Sequence, residues 1–358
     1  GATADWLRAE GGQTLRTAAH YLERVGPGAP LDLLLTALDA WSAAAAVVHR
    51  PCTPTDQPPP PPPPQRRTAL LVGGLGSSSD QAAIDDIDTA SLGYDEGDVL
   101  RFSYAGGGTT DPTDAIDVPA TTYRPADTQG DLRSSGSRLA DLIEAVVVAG
   151  PGTPLDLYAH SQGGLVARLA LIELERRHGS AWLTQIGLLA TLGTPHGGAD
   201  LATAVYAVGG TRVGSEALDQ VANVLGLPID DDARGVAQLA ETSGLIAELA
   251  AEPIPDGLTA VSIAARGDLI VPVPRTALSG APQVVVPVDG VHAHDALPGS
   301  HEAGRELALA LAGLPPTCTS MRDALTDQLV GQGISWAEDA AGSYAWLAAA
   351  RGGLPLGG

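Results

Sequence analysis

A sharp turn between an apolar strand and a helix constrains this chain more than any other stretch of its sequence. The run Leu155–Tyr158 leads into Ala159-His160-Ser161-Gln162-Gly163-Gly164, and apolar residues at helical spacing follow. The pattern is G-x-S-x-G with alanine in the first glycine position, which places Ser161 at the apex of the turn. Small residues are needed there because the strand and the helix nearly touch. The backbone N–H of Gln162 is then free at the helix N-terminus, where negative charge is stabilised.

Five other apolar runs have the length and residue types of strands, and helical periodicity separates them. These runs are residues 68–72, 99–103, 186–192, 259–264 and 283–288. Strands that alternate with helices predict the α/β fold class, with a mostly parallel, doubly wound sheet and flanking helices. In such a sheet the functional groups collect beyond the carboxyl ends of the strands.

The sequence predicts four segments along the chain. Residues 1–50 have helical spacing, and residues 51–67 contain a run of seven prolines that is interpreted as a stiff polyproline linker. Residues 68–315 are expected to form the α/β domain, and its stretch from about residue 199 to 251 is expected to be a helical, lid-like insertion. Residues 316–358 are expected to form a helical tail.

The charge composition excludes several classes of partner and chemistry. The chain carries 42 acidic residues against 20 basic ones, a formal net charge of −22, and every basic residue is arginine. Such a chain lacks the electrostatic footprint of a nucleic-acid-binding protein and should be repelled by anionic lipid headgroups. The absence of lysine excludes a Schiff-base or Ser–Lys mechanism, and it excludes a phosphate-binding P-loop at Gly73–Gly76.

A serine hydroxyl at such a turn needs a base to take its proton, and the base needs an acid to orient it. On this fold class the chain order is serine, acid, histidine, and Ser161, Asp268 and His294 obey it, each following a predicted strand. Asp256 precedes its strand, and Asp289 is too close in sequence to the histidine loop. A solvated turn aspartate remains the alternative interpretation of Asp268.

Four histidines are candidates for the base. His196 precedes the acid, and His301 begins the closing helix. His292 and His294 share one loop, and His294 is preferred because residues 295–299 after it form a compact turn. The pair could also bind a metal ion together with the following aspartate, but further ligands at suitable spacing are missing from the sequence. No metal or cofactor is therefore predicted.

Two backbone N–H groups must face the oxygen that gains charge in such a reaction. Gln162 is expected to supply one donor and Leu75, in the glycine loop after the first strand, the second; an ordinary tight turn is the alternative for that loop. His160 and His196 are candidates for lining the pocket, with a structural role open for His196.

The two cysteines, Cys52 and Cys318, flank the α/β domain. Neither has the glycine-rich or histidine-rich neighbours that would activate a catalytic thiol. A disulfide that joins the two flanks is the preferred interpretation, and two unrelated thiols are the alternative. The chain begins at Gly1 and its only methionine is Met321, so a leader removed before this start is compatible with a secreted or envelope-associated protein.

The chain resembles bacterial lipases and esterases of the α/β-hydrolase family over about residues 68–314. The motifs that carry the resemblance are Val72-Gly73-Gly74-Leu75-Gly76, the serine turn, Leu192-Gly193-Thr194-Pro195-His196-Gly197-Gly198, Gly267-Asp268 with Val271-Pro272, and His294. The resemblance implies a Ser161, His294 and Asp268 triad, oxyanion donors at Leu75 and Gln162, and cleavage of small-molecule esters or acyl lipids without a cofactor.

The sequence departs from the family pattern in several places, and two alternatives to an ester hydrolase therefore stay open. Many family members have His-Gly where this chain has Gly73-Gly74, and the two terminal segments and the proline run lie outside the family pattern. An acyltransferase could use the same triad, with an alcohol outcompeting water. A non-catalytic binding protein on this fold, with the terminal helices and prolines as its functional parts, is the other alternative.

Overall fold

The computed structural model describes residues 40–112, 116–199, 233–255 and 257–351, with side chains up to residue 339. Residues 1–39 of the predicted helical segment 1–50 and residues 200–232 of the predicted insertion lie outside the described residues. Residues 40–49 are helical.

Six strands form one sheet in the order β2-β1-β3-β4-β5-β6, and every neighbouring pair is parallel. The strands are β1 (Thr68–Val72), β2 (Val99–Arg101), β3 (Leu155–His160), β4 (Ile186–Leu192), β5 (Ala260–Ala265) and β6 (Gln283–Val286). The predicted parallel α/β sheet is confirmed. Two strands have the predicted bounds, whereas β2 and β6 end two residues earlier than the apolar runs suggested.

Seven helices beyond residue 130 are described, and they are α1 (Leu132–Ala149), α2 (Gln162–His178), α3 (Arg234–Leu239), α4 (Gly244–Ala251), α5 (Ala293–Ala296), α6 (His301–Leu311) and α7 (Met321–Arg351). Side-chain caps fix the start of four of them, namely α1, α4, α6 and α7. Asp131 accepts the backbone N–H of Arg133 at the start of α1, and Ser300 accepts that of Ala303 at the start of α6. Among the described residues, none of the helices combines the length and the apolar character needed to cross a bilayer.

The sheet separates two apolar layers because successive side chains of a strand point to opposite faces. On β1, Leu70 and Val72 belong to the layer that contains the buried faces of α1 and α2. Ala69 and Leu71 belong to the opposite layer, which contains α6 and the 3-10 turn Ala83–Asp86. The sheet is therefore covered on both faces, and the carboxyl ends of its strands open on one edge.

A disulfide joins Cys52 to Cys318, with 4.8 Å between the Cα atoms, so the predicted pairing is confirmed. Two backbone hydrogen bonds of 2.8 Å run beside it, from Thr53 N–H to the carbonyl of Pro316 and from Cys318 N–H to the carbonyl of Thr53. Pro62, in the proline run, packs so closely on Gly93 that a Cβ on the glycine would lie 2.4 Å from the proline ring. The proline run thus contacts the α/β core at Pro62, and the four-segment division of the chain stays a prediction.

Candidate active site

Ser161 lies at the junction of β3 and α2 and has a strained backbone conformation. Its φ and ψ are 55° and −132°, and among the described residues it is the one non-glycine residue with positive φ. Such a conformation costs of order 1–3 kcal/mol and persists only where the surroundings impose it. Here the junction directs the hydroxyl away from the sheet and toward solvent-accessible space.

Close packing on both sides of the serine explains the glycines that follow it. A Cβ on Gly163 would lie 2.5 Å from the carbonyl oxygen of Val72 on β1. A Cβ on Gly164 would lie 2.1 Å from the hydroxyl of Thr194, which follows β4. Helix α2 therefore begins in contact with two neighbouring strands, and only glycine fits at these two positions.

Asp268 is buried just after β5, and both of its carboxylate oxygens are engaged. Oδ1 accepts the backbone N–H groups of Ile270 and Val271, each at 2.8 Å. Oδ2 lies 2.7 Å from Nδ1 of His294. The two backbone bonds fix the carboxylate in the orientation that meets the imidazole.

His294 lies on the short helix α5 after β6 and is 3% exposed. Burial lowers the pKa of the imidazole, but the carboxylates of Asp268 and Asp295 outweigh burial and hold that pKa above its ordinary value. An Nδ1–H that donates to Asp268 leaves Nε2 as the ring nitrogen available for proton transfer.

His160, directly before the serine, holds the loop that carries His294. Its Nε2–H donates to the backbone carbonyl of His294 at 3.0 Å, and the two rings lie 4.6 Å apart between centroids. Burial, followed by the proximity of His294, places the pKa of His160 well below its ordinary value, so the ring is neutral. A neutral ring with Nε2 protonated can make this hydrogen bond, and the bond ties the serine turn to the histidine loop.

A cavity of about 540 Å³ is lined by both Ser161 and the His294 imidazole. His160 also lines it, and Leu75 lies in its wall. Within the described part of the chain, no hydrogen bond joins the Ser161 hydroxyl to His294. Such bonds are often long in a free enzyme and shorten when substrate binds.

The glycine loop after β1 lies directly against the serine. A Cβ on Gly74 would lie 2.7 Å from the Cβ of Ser161, so the loop backbone and the serine side chain are in contact. Across the described residues, the backbone N–H groups of Leu75 and Gln162 have no hydrogen-bond partner. Both are therefore free to bind an oxygen atom.

Two residues that the sequence did not indicate hold this loop. The Tyr104 hydroxyl donates to the carbonyl of Gly73 at 2.7 Å. Thr128 connects both donor segments, since its hydroxyl accepts the N–H of Gly76 at 2.9 Å and its carbonyl accepts the side-chain amide of Gln162 at 2.7 Å. Tyr104 lies beyond β2 and Thr128 lies before Asp131, the cap of α1, and the sequence around each has no local signal for these contacts.

His196 is buried after β4 and is not among the residues that line the cavity. Its Nε2 lies 3.1 Å from the hydroxyl of Thr191. Burial, with the nearby Arg168 as a further cause, places its pKa well below the ordinary value. The ring is thus a neutral, buried group beside the sheet, which matches the structural role left open for it.

Among the described residues, His160, His294 and Asp295 could approach one metal ion, with their ligand atoms within 4.8 Å of one another. One nitrogen of each ring is already hydrogen-bonded within the protein. His292 does not belong to this group, so the His292-x-His294 pattern weighed from the sequence does not form a ligand pair here.

The serine follows β3, the carboxylate follows β5 and the histidine follows β6 of an all-parallel sheet. This order and the strained strand-to-helix turn define one architecture. The chain has the α/β-hydrolase fold. The candidate site lies at the carboxyl edge of its sheet.

Comparison with known proteins gives one family match and several similar structures. Residues 103–227 match the model of a family described as "Putative serine esterase (DUF676)". The lipase BlEst2 of Bacillus licheniformis, in its mature form, is 19% identical, with 67% of this chain and 90% of that chain covered and a TM-score of 0.44. The RedJ thioesterase from the prodiginine pathway of Streptomyces coelicolor is 17% identical, with 73% and 97% covered and a TM-score of 0.39.

A third similar structure is phospholipase PlaB from Legionella pneumophila, at 10% identity, with 56% of this chain and 39% of that chain covered and a TM-score of 0.35. No match was found among curated proteins.

Proposed function

We propose that this α/β-hydrolase is a serine carboxylic ester hydrolase of the lipase and esterase type, with Ser161 as nucleophile, His294 as base and Asp268 as acid. The observation that carries the proposal is the 2.7 Å contact between Nδ1 of His294 and the fixed carboxylate of Asp268, beside a cavity that the serine shares. The family match supports it, because the matched residues 103–227 include the serine turn.

The proposed reaction follows from this geometry. Ser161 Oγ attacks the ester carbonyl carbon while Nε2 of His294 takes the hydroxyl proton, and the buried carboxylate of Asp268 stabilises the imidazolium. The N–H groups of Leu75 and Gln162 bind the oxyanion, and loss of one such donor typically slows a reaction by about 100-fold or more. The imidazolium then protonates the leaving alcohol. Water, activated by the same imidazole, releases the acid from the acyl-enzyme.

The location and the organisation of the chain are further parts of the proposal. A disulfide between Cys52 and Cys318 is stable in oxidising compartments, which favours a secreted or envelope-associated protein. Residues 68–315 are proposed as the catalytic domain, to which residues 1–50, 51–67 and 316–358 are additions of undefined role. The acidic surface makes an anionic membrane an unfavourable site of action.

The test compares the protein with its Ser161→Ala variant in turnover of a short p-nitrophenyl ester and in labelling by a fluorophosphonate. The Ser161 hydroxyl has no hydrogen-bond partner within the described residues, so its removal should leave the thermal unfolding transition unchanged. We expect loss of turnover and of labelling. Ser91→Ala is the matched control, because that exposed serine hydrogen-bonds to Asp88, lies outside the cavity lining and should keep full activity.

Turnover or labelling that survives in Ser161→Ala would refute the assignment. Product analysis with an added alcohol separates hydrolysis from acyl transfer. A free carboxylic acid as the main product in the presence of the alcohol supports the hydrolase, whereas a new ester as the main product supports the acyltransferase.

A further inference from the structure

The cavity beside Ser161 has an acidic wall that the proposed mechanism does not use. Four carboxylates line it, and they belong to Asp80, Asp85, Asp86 and Asp295. Three of them come from the loop and the 3-10 turn that follow β1, and the fourth comes from α5 beside the imidazole. The lining residues include no arginine, and the chain has no lysine.

Only one of these carboxylates has a charged partner within the described part of the chain. Asp85 accepts Nε of Arg101 at 2.6 Å. Asp80, Asp86 and Asp295 are exposed, and the described residues give them neither an ion pair nor a side-chain hydrogen bond. Three acidic residues without an ion-pair partner in the described part of the chain therefore line the space that a substrate must enter.

The cavity has a second feature, apart from its acidic wall, that indicates ligand binding. Ser161 and the buried His294 line the same cavity, and the Nε2 atom of that imidazole has no partner among the described residues. A concave surface with charges of one sign concentrates oppositely charged solutes and can change local concentration and association rate by about 10-fold to 1,000-fold. The cavity volume of about 540 Å³ is within the range of small-molecule sites.

We infer that this active site selects esters that carry a positive charge near the ester group. It discriminates against anionic substrates, whether they are esters or thioesters. The inference rests on the proposed function and names the substrate class for it. A quaternary ammonium or protonated amine in the alcohol part would lie near Asp80, Asp86 and Asp295, because these residues line the cavity that contains Ser161. An anionic carrier, such as a phosphate-bearing thioester, would meet the same charges with repulsion.

The experiment uses three butyrate esters of similar size and different charge. Butyrylcholine is cationic, 3,3-dimethylbutyl butyrate is its neutral isostere, and 3-sulfopropyl butyrate is anionic. We expect kcat/KM for the cationic ester to exceed that for the neutral one by about 10-fold at low salt, and the anionic ester to be the poorest substrate. Raising the salt to about 0.3 M should reduce the preference, because it screens exposed charges.

Single Asp80→Asn and Asp86→Asn variants, and the double variant, localise the effect. Each should lower the ratio of cationic to neutral kcat/KM by about threefold, and the double variant by more. Asp56→Asn is the matched control, because Asp56 is an exposed carboxylate outside the cavity lining and should leave the ratio unchanged. A cationic-to-neutral ratio near one, or a ratio that the double variant does not change, would overturn the inference.

A binding measurement keeps the inference separate from the proposed function. Calorimetry on Ser161→Ala compares the affinities of butyrylcholine and its neutral isostere without turnover. Tighter binding of the cation, lost in the Asp80 and Asp86 double variant, supports the acidic wall even if no ester is hydrolysed. Equal affinities overturn the inference even if the protein proves to be an esterase.

Discussion

Replacing Asp268 with asparagine tests the link between the acid and the base most directly. The Oδ1 atom accepts two backbone N–H groups, from Ile270 and Val271, and an amide oxygen can accept both in its place. The amide NH₂ group must then occupy the Oδ2 position and donate to Nδ1 of His294. That histidine is forced to carry its proton on Nε2, where it can no longer accept the proton of Ser161.

The magnitude follows from the charge that the variant removes. Two unit charges about 4 Å apart interact by about 4 kcal/mol at an effective dielectric constant of about 20. Losing that stabilisation of the imidazolium in the transition state corresponds to about a 1,000-fold lower rate, and the wrong tautomer adds to the loss. Asp268→Asn should therefore reduce kcat/KM by about 1,000-fold or more while the thermal unfolding transition stays close to that of the wild type.

The assay is a pH profile of kcat/KM on a neutral p-nitrophenyl ester. The acidic limb of the profile reports the pKa of the free enzyme's base, and Asp268 raises the pKa of His294. The acidic limb of the variant's kcat/KM profile should therefore lie at lower pH than that of the wild type. The plateau of kcat/KM at higher pH should remain below the wild-type value. Asp289→Asn is the control, because Asp289 forms a surface ion pair with Arg266. A variant within tenfold of the wild type, with an unmoved limb, would refute the proposed acid.

Three further predictions concern the surroundings of the site. Replacing Cys52 and Cys318 together by serine should lower the free energy of unfolding by about 2–5 kcal/mol in urea titrations, since the bridge closes a loop with a sequence separation of 266. His160→Phe, which removes the donor to the His294 carbonyl, should lower kcat by about tenfold with little change in KM. Burial lowers the pKa of His196, so the neutral ring's contribution to the free energy of unfolding is fully present above the unfolded-state pKa of about 6.5. Below that pH the contribution is lost at about 1.4 kcal/mol per pH unit. His196→Gln should remove this part of the pH dependence, measured as urea midpoints at a series of pH values.

Local properties of the sequence were sufficient to predict the framework of the site. Strand and helix periodicity located all six strands of the sheet, and the two cysteines allowed one intramolecular pairing. The serine turn could be recognised because its small neighbours reflect a local backbone requirement. Strand ends were less accurate, as in β2 and β6, because an apolar run can continue beyond the last residue that pairs with a neighbouring strand.

Tertiary structure decided which side chains contact one another in the site. Asp268 contacts His294 across 26 residues, and Thr128 reaches the glycine loop across 52. The sequence around Thr128 does not predict that contact. The acidic wall arises in the same way, since Asp86 ends a 3-10 turn after β1 and Asp295 lies on α5, and the two meet only at this cavity. Sequence thus determined the strained turn and the residue types available for chemistry, because backbone geometry and periodicity are short-range. The folded chain decided which carboxylates and hydroxyls surround Ser161, because distances between loops depend on how the sheet and its two layers pack.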